Sequence, residues 1–406
     1  MIGRIAWRNI AFRPLNTILS LILLTSGVAI ISLLILLERQ FEEKFAGNIE
    51  GVDLVLGAQG SPLQLILSSV YQMDAPTGNI SYDSAQVWMR HPFAQSAIPL
   101  AFGDNYKGYK IVGTTPEYLH KFGMKLGSGK AFDKNFEVVV GSRIAEKLQM
   151  KVGQKFHGSH GQADGGEVHE DFDYIISGIA APSGKVADNL ILCNIPTVWA
   201  IHGDHEESTG HEDETGEHAE EDSHGKEITA VLFKIRNKMA LVTWPRIISQ
   251  NTKMQMASPA VEVNRLFTLF GFGVQALQYL AYGIMFISGI SIFIALYNTL
   301  KERRYEFALL RIGGARRLQL FFLVLYESLM LCVSGFVLGI VVGRLALWLI
   351  SKSTEEEYKM VFDPLIFVWE KEGVLLLMTI FTGVLAALIP AVKAYRLNIS
   401  KTLANA

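Results

Sequence analysis

Four apolar stretches decide what this chain can fold into. They cover residues 15–37, 277–300, 318–350 and 373–392. A membrane helix needs roughly 20 apolar residues to cross about 30 Å of hydrocarbon, and each stretch meets that requirement. The first runs from Leu15 to Leu37 with no charge until Glu38, and the third is interrupted only by Glu327 and Arg344. The third is longer than a straight crossing needs, so it is tilted or extends past the bilayer. Charged residues make up 19% of the chain, against about 25% in a soluble protein. The first stretch follows Arg4, Arg8 and Arg13, as a secretory leader would. Its apolar core is longer than the roughly 7–15 residues of such a leader. No small-residue cleavage site follows, and it is read as a retained anchor.

Basic residues near the span ends set the orientation. Residues 1–14 hold Arg4, Arg8 and Arg13 and no acid. Residues 301–317 hold Lys301, Arg303, Arg304, Arg311, Arg316 and Arg317 against Glu302 and Glu306. Residues 393–406 hold Lys393, Arg396 and Lys401. The stretch 351–372 is acidic on balance, through Glu355, Glu356, Glu357, Asp363, Glu370 and Glu372. Both termini and the 301–317 segment are therefore expected in the cytoplasm, and residues 38–276 and 351–372 outside. The chain is thus expected to be a membrane protein with four transmembrane α-helices, one plus three. A large extracytoplasmic domain is inserted after the first.

That insert has a different character. Glu38–Ile49 reads as a polar continuation of the first helix. Short runs rich in Val, Ile, Leu and Phe between turn residues predict strands: Lys110–Gly113, Glu137–Gly141, Tyr174–Gly178, Leu190–Cys193 and Ala230–Ile235. Ser142–Met150 reads as a helix capped by Ser142. An α+β domain is expected, without a readable strand order. Cys193 lies in a polar region and Cys332 in a span, so no disulfide is expected between these only cysteines.

Residues 202–225 stand apart. They hold five histidines (His202, His205, His211, His218 and His224) and ten acids, with no Lys or Arg. Such a composition cannot build a core. Imidazole and carboxylate suit zinc and related ions, but the spacing is irregular and does not match a closed site. Weak, exchangeable zinc binding is the expectation here, with no other cofactor bound directly by the chain. A solvated acidic loop is the simpler alternative.

The segment Glu302-Arg303-Arg304-Tyr305-Glu306-Phe307-Ala308-Leu309-Leu310-Arg311-Ile312-Gly313-Gly314-Ala315-Arg316-Arg317 joins the second span to the third. It resembles the cytoplasmic ER-R-E-ALLRA-GA-RR segment of the FtsX-like permeases, which include MacB and LolC/LolE-type membrane subunits. The tail Ile389-Pro390-Ala391-Val392-Lys393-Ala394-Tyr395-Arg396, followed by Ile399-Ser400-Lys401-Thr402-Leu403, is similar to the family's closing pattern, with Ser400 where proline is usual. Val138–Gly141 and Gly153 look like the family's VVVG…G segments. The resemblance leaves out Gln162–Glu170 and His202–Gly225.

The resemblance implies that Glu302, Arg303, Glu306, Leu309, Leu310, Arg311, Gly313 and Gly314 form a coupling helix seated on an ABC ATPase subunit. The residues themselves agree: Phe307, Leu309, Leu310 and Ile312 could pack on a membrane or partner, and Gly313-Gly314 would end the helix. The resemblance also implies a bacterial inner membrane, a homodimer or a related permease partner, and a periplasmic adaptor or carrier. Gly335, Gly339 and Gly343 recur every four residues and fall on one helical face, where another helix can approach closely. That face would serve a dimer or moving interface, or packing within one subunit. Glu327, near the cytoplasmic end of its span, is an interfacial or functional acid.

No G-x-x-x-x-G-K-[ST], G-x-S-x-G, H-E-x-x-H or C-x-x-C pattern occurs, so no catalysis is expected in these residues. No nucleic-acid partner is expected either. Three functions remain. The first is a subunit of an ABC complex exporting or extracting lipoprotein, peptide or drug. The second is a zinc-linked system of the same build. The third is an FtsX-like scaffold that relays ATPase strokes to cell-wall hydrolases.

Overall fold

The computed structural model describes residues 14–159, 172–203, 226–358 and 361–397. The chain divides into two compact units, one of Met1–Glu42 with Leu269–Ala406 and one of Glu43–Thr268. The helices are α1 (Pro14–Ile49), α2 (Pro62–Ser69), α3 (Tyr82–Met89), α4 (Glu117–Lys121), α5 (Ser142–Lys147), α6 (Ile195–Gly203), α7 (Met239–Asn251), α8 (Pro259–Glu302), α9 (Arg304–Ile312), α10 (Arg317–Tyr358) and α11 (Trp369–Tyr395). The strands are β1 (Leu54–Ala58), β2 (Ile80–Ser81), β3 (Ala94–Tyr106), β4 (Tyr109–Thr114), β5 (Leu126–Gly129), β6 (Glu137–Val140), β7 (Lys155–Phe156), β8 (Tyr174–Ala180), β9 (Ile191–Asn194), β10 (Glu227–Ile228), β11 (Ala230–Ile235) and β12 (Met254–Ala257).

In the Glu43–Thr268 unit, a ten-stranded sheet runs β12-β1-β11-β3-β4-β9-β6-β8-β5, with β7 beside β8. The β4–β9 and β6–β8 pairs are parallel and the rest antiparallel. Strand β3 serves two neighbours in turn. Its first half, from Ala94 to Leu100, pairs with β11, and its second, from Ala101 to Tyr106, pairs with β4. A register shift between Phe102 and Asn105 lets the long strand bend between these partners. The apolar residues that predict the strands are the ones that fill the core: Val138, Val140, Ile176, Ile191, Cys193, Val231 and Phe233 are all buried. Trp244 of α7 closes one side, with its ring against Trp88, His91 and Phe233.

One local expectation is corrected. Gly141, not Ser142, caps α5, and no side-chain hydrogen bond caps that helix. The Ser142 hydroxyl is buried without a partner. The extended φ of −62° and ψ of 148° at Gly141 already turn the chain into the helix. A β-carbon there would run into the backbone of Asp188, so only glycine fits.

The other unit holds four long apolar helices, α1, α8, α10 and α11, each able to cross a membrane. Helix α1 is described from Pro14 onward. It runs 36 residues, through the polar stretch after Leu37. Helix α8 runs 44 residues and begins at Pro259, before its apolar part. Helices α1 and α8 each contribute residues to both units. Outward faces of α8, α10 and α11 carry large apolar side chains such as Phe286, Leu349 and Phe381, all well exposed. Such faces are stable only against lipid or protein.

Candidate functional site

Helix α9 links α8 to α10, and is a short amphipathic element by sequence. Its anchoring comes from two residues. Phe307 and Ala308 are buried, and Phe307 belongs to one buried cluster with Leu296, Leu300, Leu320, Leu323 and Ala391 from three different spans. Tyr305, Leu309, Leu310 and Ile312 remain exposed. Arg303 donates from Nε to Glu306 Oε2 at 2.7 Å, which ties the first turn. The helix ends at Gly313, whose amide donates to Leu309 O at 2.9 Å. Gly314 has a φ of +96°, a conformation that glycine adopts freely. Arg311 Nη1 then donates to Ala315 O at 2.8 Å. The Arg316 amide donates to Gln319 Oε1 at 2.7 Å and opens α10.

The backbone turns at both ends of α9 are hydrogen bonded, one side is held in the bundle, and Tyr305, Leu309, Leu310 and Ile312 face outward. The expectation for Phe307 changes: it is the internal anchor and not part of the outward surface. Leu309, Leu310 and Ile312 provide that surface.

Gly335, Gly339 and Gly343 all face α1. A β-carbon at Gly335 would lie 2.6 Å from Leu24 Cδ2, one at Gly339 2.5 Å from Val28 Cγ1, and one at Gly343 2.9 Å from Ala29 O. The three glycines thus let α10 approach α1 nearly backbone to backbone within one chain. Across α10, Ser328 donates to Gly383 O of α11 at 2.7 Å.

At the opposite end of the bundle from α9, Arg344 makes contacts that its place in an apolar run does not suggest. Its Nη1 donates to Pro364 O and to Ile366 O, each at 2.7 Å. Its Nη2 donates to both carboxylate oxygens of Glu372 at 3.0 and 3.1 Å. The Glu372 side chain is fully buried. Gln40 of α1 makes a reciprocal pair with the backbone of Asp363, donating to its carbonyl at 2.8 Å and accepting from its amide at 2.7 Å. Sequence reading treats Arg344 only as an interruption of a span. A lone arginine in an apolar run is the one signal that could have found this clamp, since such a charge requires a partner.

Two family models cover most of the chain. A model described as FtsX-like permease C-terminal matches residues 279–399. One described as MacB-like periplasmic core domain matches residues 17–234, more than half of the chain. The chain belongs to the MacB/FtsX-type ABC permeases. Among solved structures, the permease is similar to the periplasmic region of MacB from Actinobacillus actinomycetemcomitans. The identity is 12% and the TM-score 0.36, over 55% of this chain and 97% of that one. It is also similar to the extracellular domain of the noncanonic ABC-type transporter YknZ from Gram-positive bacteria, at 10% identity and a TM-score of 0.32, over 50% of this chain and 99% of that one. No match was found among curated proteins.

The permease's helix α9 and glycine face both fall inside the C-terminal match. Of the proposed zinc ligands, His205, His211, His218 and His224 lie outside the described residues, and His202 sits in the last turn of α6. Among the described residues no group of three or more His, Cys, Asp or Glu is placed to hold a metal ion. His157 stands 3.5 Å from Asp173, whose other oxygen accepts from Lys155 at 2.7 Å. The hydrogen bond from Lys155, reinforced by its charge, holds the Asp173 carboxyl below the usual carboxylate range. Cys193 and Cys332 are both free and buried.

Proposed function

We propose that this permease is the membrane subunit of an ABC complex of the bacterial inner membrane, with ATP bound and hydrolysed by a separate subunit. Helix α9 docks in a groove of that ATPase through Leu309, Leu310 and Ile312, with Tyr305 at the edge. ATP-driven movement at α9 passes through Phe307 into the spans, and through α1 and α8 into the Glu43–Thr268 domain. That domain acts on a lipoprotein, peptide or drug that is exported or extracted. A second permease copy or a related chain completes the membrane part, and a periplasmic adaptor or carrier receives the cargo. The observation that carries this reading is the anchored, outward-facing apolar surface of α9. A helix pinned by Phe307 and hydrogen bonded at both ends transmits force, where a loose loop would absorb it. The match of the MacB-like model over residues 17–234 supports export or extraction over a minimal scaffold role.

The test is affinity purification of the tagged full chain in mild detergent, with co-purifying ATPase activity assayed. Wild type is expected to bring down an ATPase subunit. The double variant Leu309→Ser, Leu310→Ser leaves Phe307 in place, so it is expected to insert normally and lose most of that ATPase. Retention of the ATPase at wild-type level by the variant would refute docking through this surface. Recovery of no ATPase with folded wild type would refute the ABC assembly itself.

A further inference from the structure

The stretch between α10 and α11 reads from sequence as part of an acidic aqueous loop, and its structure says otherwise. Exposure alternates along it as on a strand with one side turned out. Leu365 is 83% exposed, Phe367 42% and Trp369 78%, while Phe362 is buried and Pro364, Ile366 and Val368 are partly covered. The outward side is therefore Asp363 followed by three large apolar groups on one short segment.

Hydrogen bonds fix the level at which this segment lies. Phe362 exchanges two bonds with Ser351, accepting from Oγ at 3.0 Å and donating to it at 2.8 Å. Pro364, Ile366 and Glu372 are tied to Arg344. The segment thus descends alongside α10 between Ser351 and Arg344. Over that same interval α10 exposes Leu345, Trp348, Leu349 and Ile350. The segment and the adjoining stretch of α10 both expose large apolar groups.

Much of the backbone is satisfied from within the protein. Non-helical backbone survives at membrane depth only where the protein satisfies its polar groups. Here the carbonyls of Phe362, Asp363, Pro364, Ile366 and Val368 accept from Ser351, Gln40, Arg344, Arg344 and the Glu372 amide respectively. The amides of Phe362, Asp363 and Leu365 donate to Ser351, Gln40 and Asp363 Oδ1. The Arg344 guanidinium, itself only 17% exposed, lies 5.3 Å from the Phe367 ring. An aqueous loop would take these bonds from water and would have no need of a partly buried arginine.

We propose that the segment 362–369 is seated in the outer leaflet of the membrane, with Leu365, Phe367 and Trp369 in contact with lipid at the boundary between headgroups and acyl chains. Aromatic side chains favour that boundary. Arg344 is the positioning residue that holds the segment there.

The test places a nitroxide at Leu365→Cys in the full chain, reconstituted in phosphatidylcholine vesicles, and compares it with one at Val87→Cys, an exposed site on the inserted domain. Both native cysteines are buried, so labelling is selective. At Leu365 the label is expected to be reached by oxygen more readily, and by a water-soluble nickel chelate less readily, than at Val87. Nickel access equal to that at Val87 would overturn the proposal in favour of an aqueous loop. Loss of access to both reagents would overturn it in favour of a covering protein, such as a second copy. Independently, brominated lipid should quench the part of the fluorescence that Trp369→Phe removes, and no quenching of that part would also overturn it.

Discussion

The two units of this permease solve the same packing problem for different solvents. In the Glu43–Thr268 unit a core of large apolar side chains runs across both halves of the sheet, with Asp104, Asn105, Asp188 and Gln255 among the few polar groups buried beside it. In the membrane unit many large apolar groups are exposed, and the interior also holds Ser20, Ser32, Glu327, Ser328 and Glu372, the last paired with the partly buried Arg344. The difference follows from the solvent. Water rewards burial of apolar area, but lipid is as apolar as leucine, so the spans associate through small residues and internal polar bonds. Core volume holds the first unit together, and close approach and polar satisfaction hold the second.

The sharpest way to break this contrast is to remove one member of each unit's characteristic pair. Arg344→Ala leaves the Glu372 carboxylate buried without its partner, and breaking a buried pair costs about 3–5 kcal/mol. Trp244→Ala empties the site that faces Trp88 and Phe233, and costs about 3–5 kcal/mol. Thermal melting of the full chain in detergent should show both losses. Replacing Arg344 and Glu372 together by leucine is expected to recover part of the first, whereas no polar substitution at Trp244 should recover the second. Equal recovery at both sites would erase the distinction.

A smaller effect separates two faces of the membrane unit. Gly339→Val forces a side chain onto Val28 and is expected to cost about 1–3 kcal/mol by overpacking. Gly283→Val meets nothing within 4 Å, and its melting temperature should stay near wild type. A large loss at Gly283 would mean that its face is covered by protein and not by lipid.

Smaller again is a charge effect in the inserted domain. Glu137 accepts from Lys130 Nζ at 2.9 Å and from the amides of Asp133 and Lys134 at 3.0 and 3.2 Å. These bonds, that to Lys130 foremost, hold its carboxyl down to about 2. A depressed carboxyl stabilises the fold fully above its ordinary range near 4.5 and loses that contribution as pH falls toward 2. The melting-temperature difference between wild type and Glu137→Gln should therefore be constant above pH 5 and narrow below pH 4.5. The smallest expected signal is zinc uptake by residues 202–225. Calorimetric titration of the full chain should show weak, reversible binding that disappears when His202, His205, His211, His218 and His224 become alanine. Unchanged uptake in that variant would place the metal elsewhere.

What the sequence makes legible also divides along this contrast. Hydropathy marks the four spans because each must match a fixed thickness, and a four-residue period marks Gly335, Gly339 and Gly343 as one face. It marks the apolar part of a helix and not its ends, so the start of α8 at Pro259 has no hydropathy signal. The strands announce themselves through runs such as Val138–Val140, but their order does not, because pairing depends on partners far along the chain. The anchoring role of Phe307 needs residues from three spans to be seen. The Arg344 clamp is hidden for the same reason: two of its acceptors are backbone carbonyls, which no side-chain pattern reveals.

The glycine face of α10 has a mechanical consequence. Leu24 and Val28 fit where Gly335 and Gly339 leave room, like two pegs in two notches. Successive notches are four residues apart, about 6 Å along a helix. A slide of α10 past α1 by half that distance would press Val28 into the side chain next to the notch. Travel along this seam is therefore indexed: the helices can pivot about the pegs, or jump by a whole notch, but cannot creep.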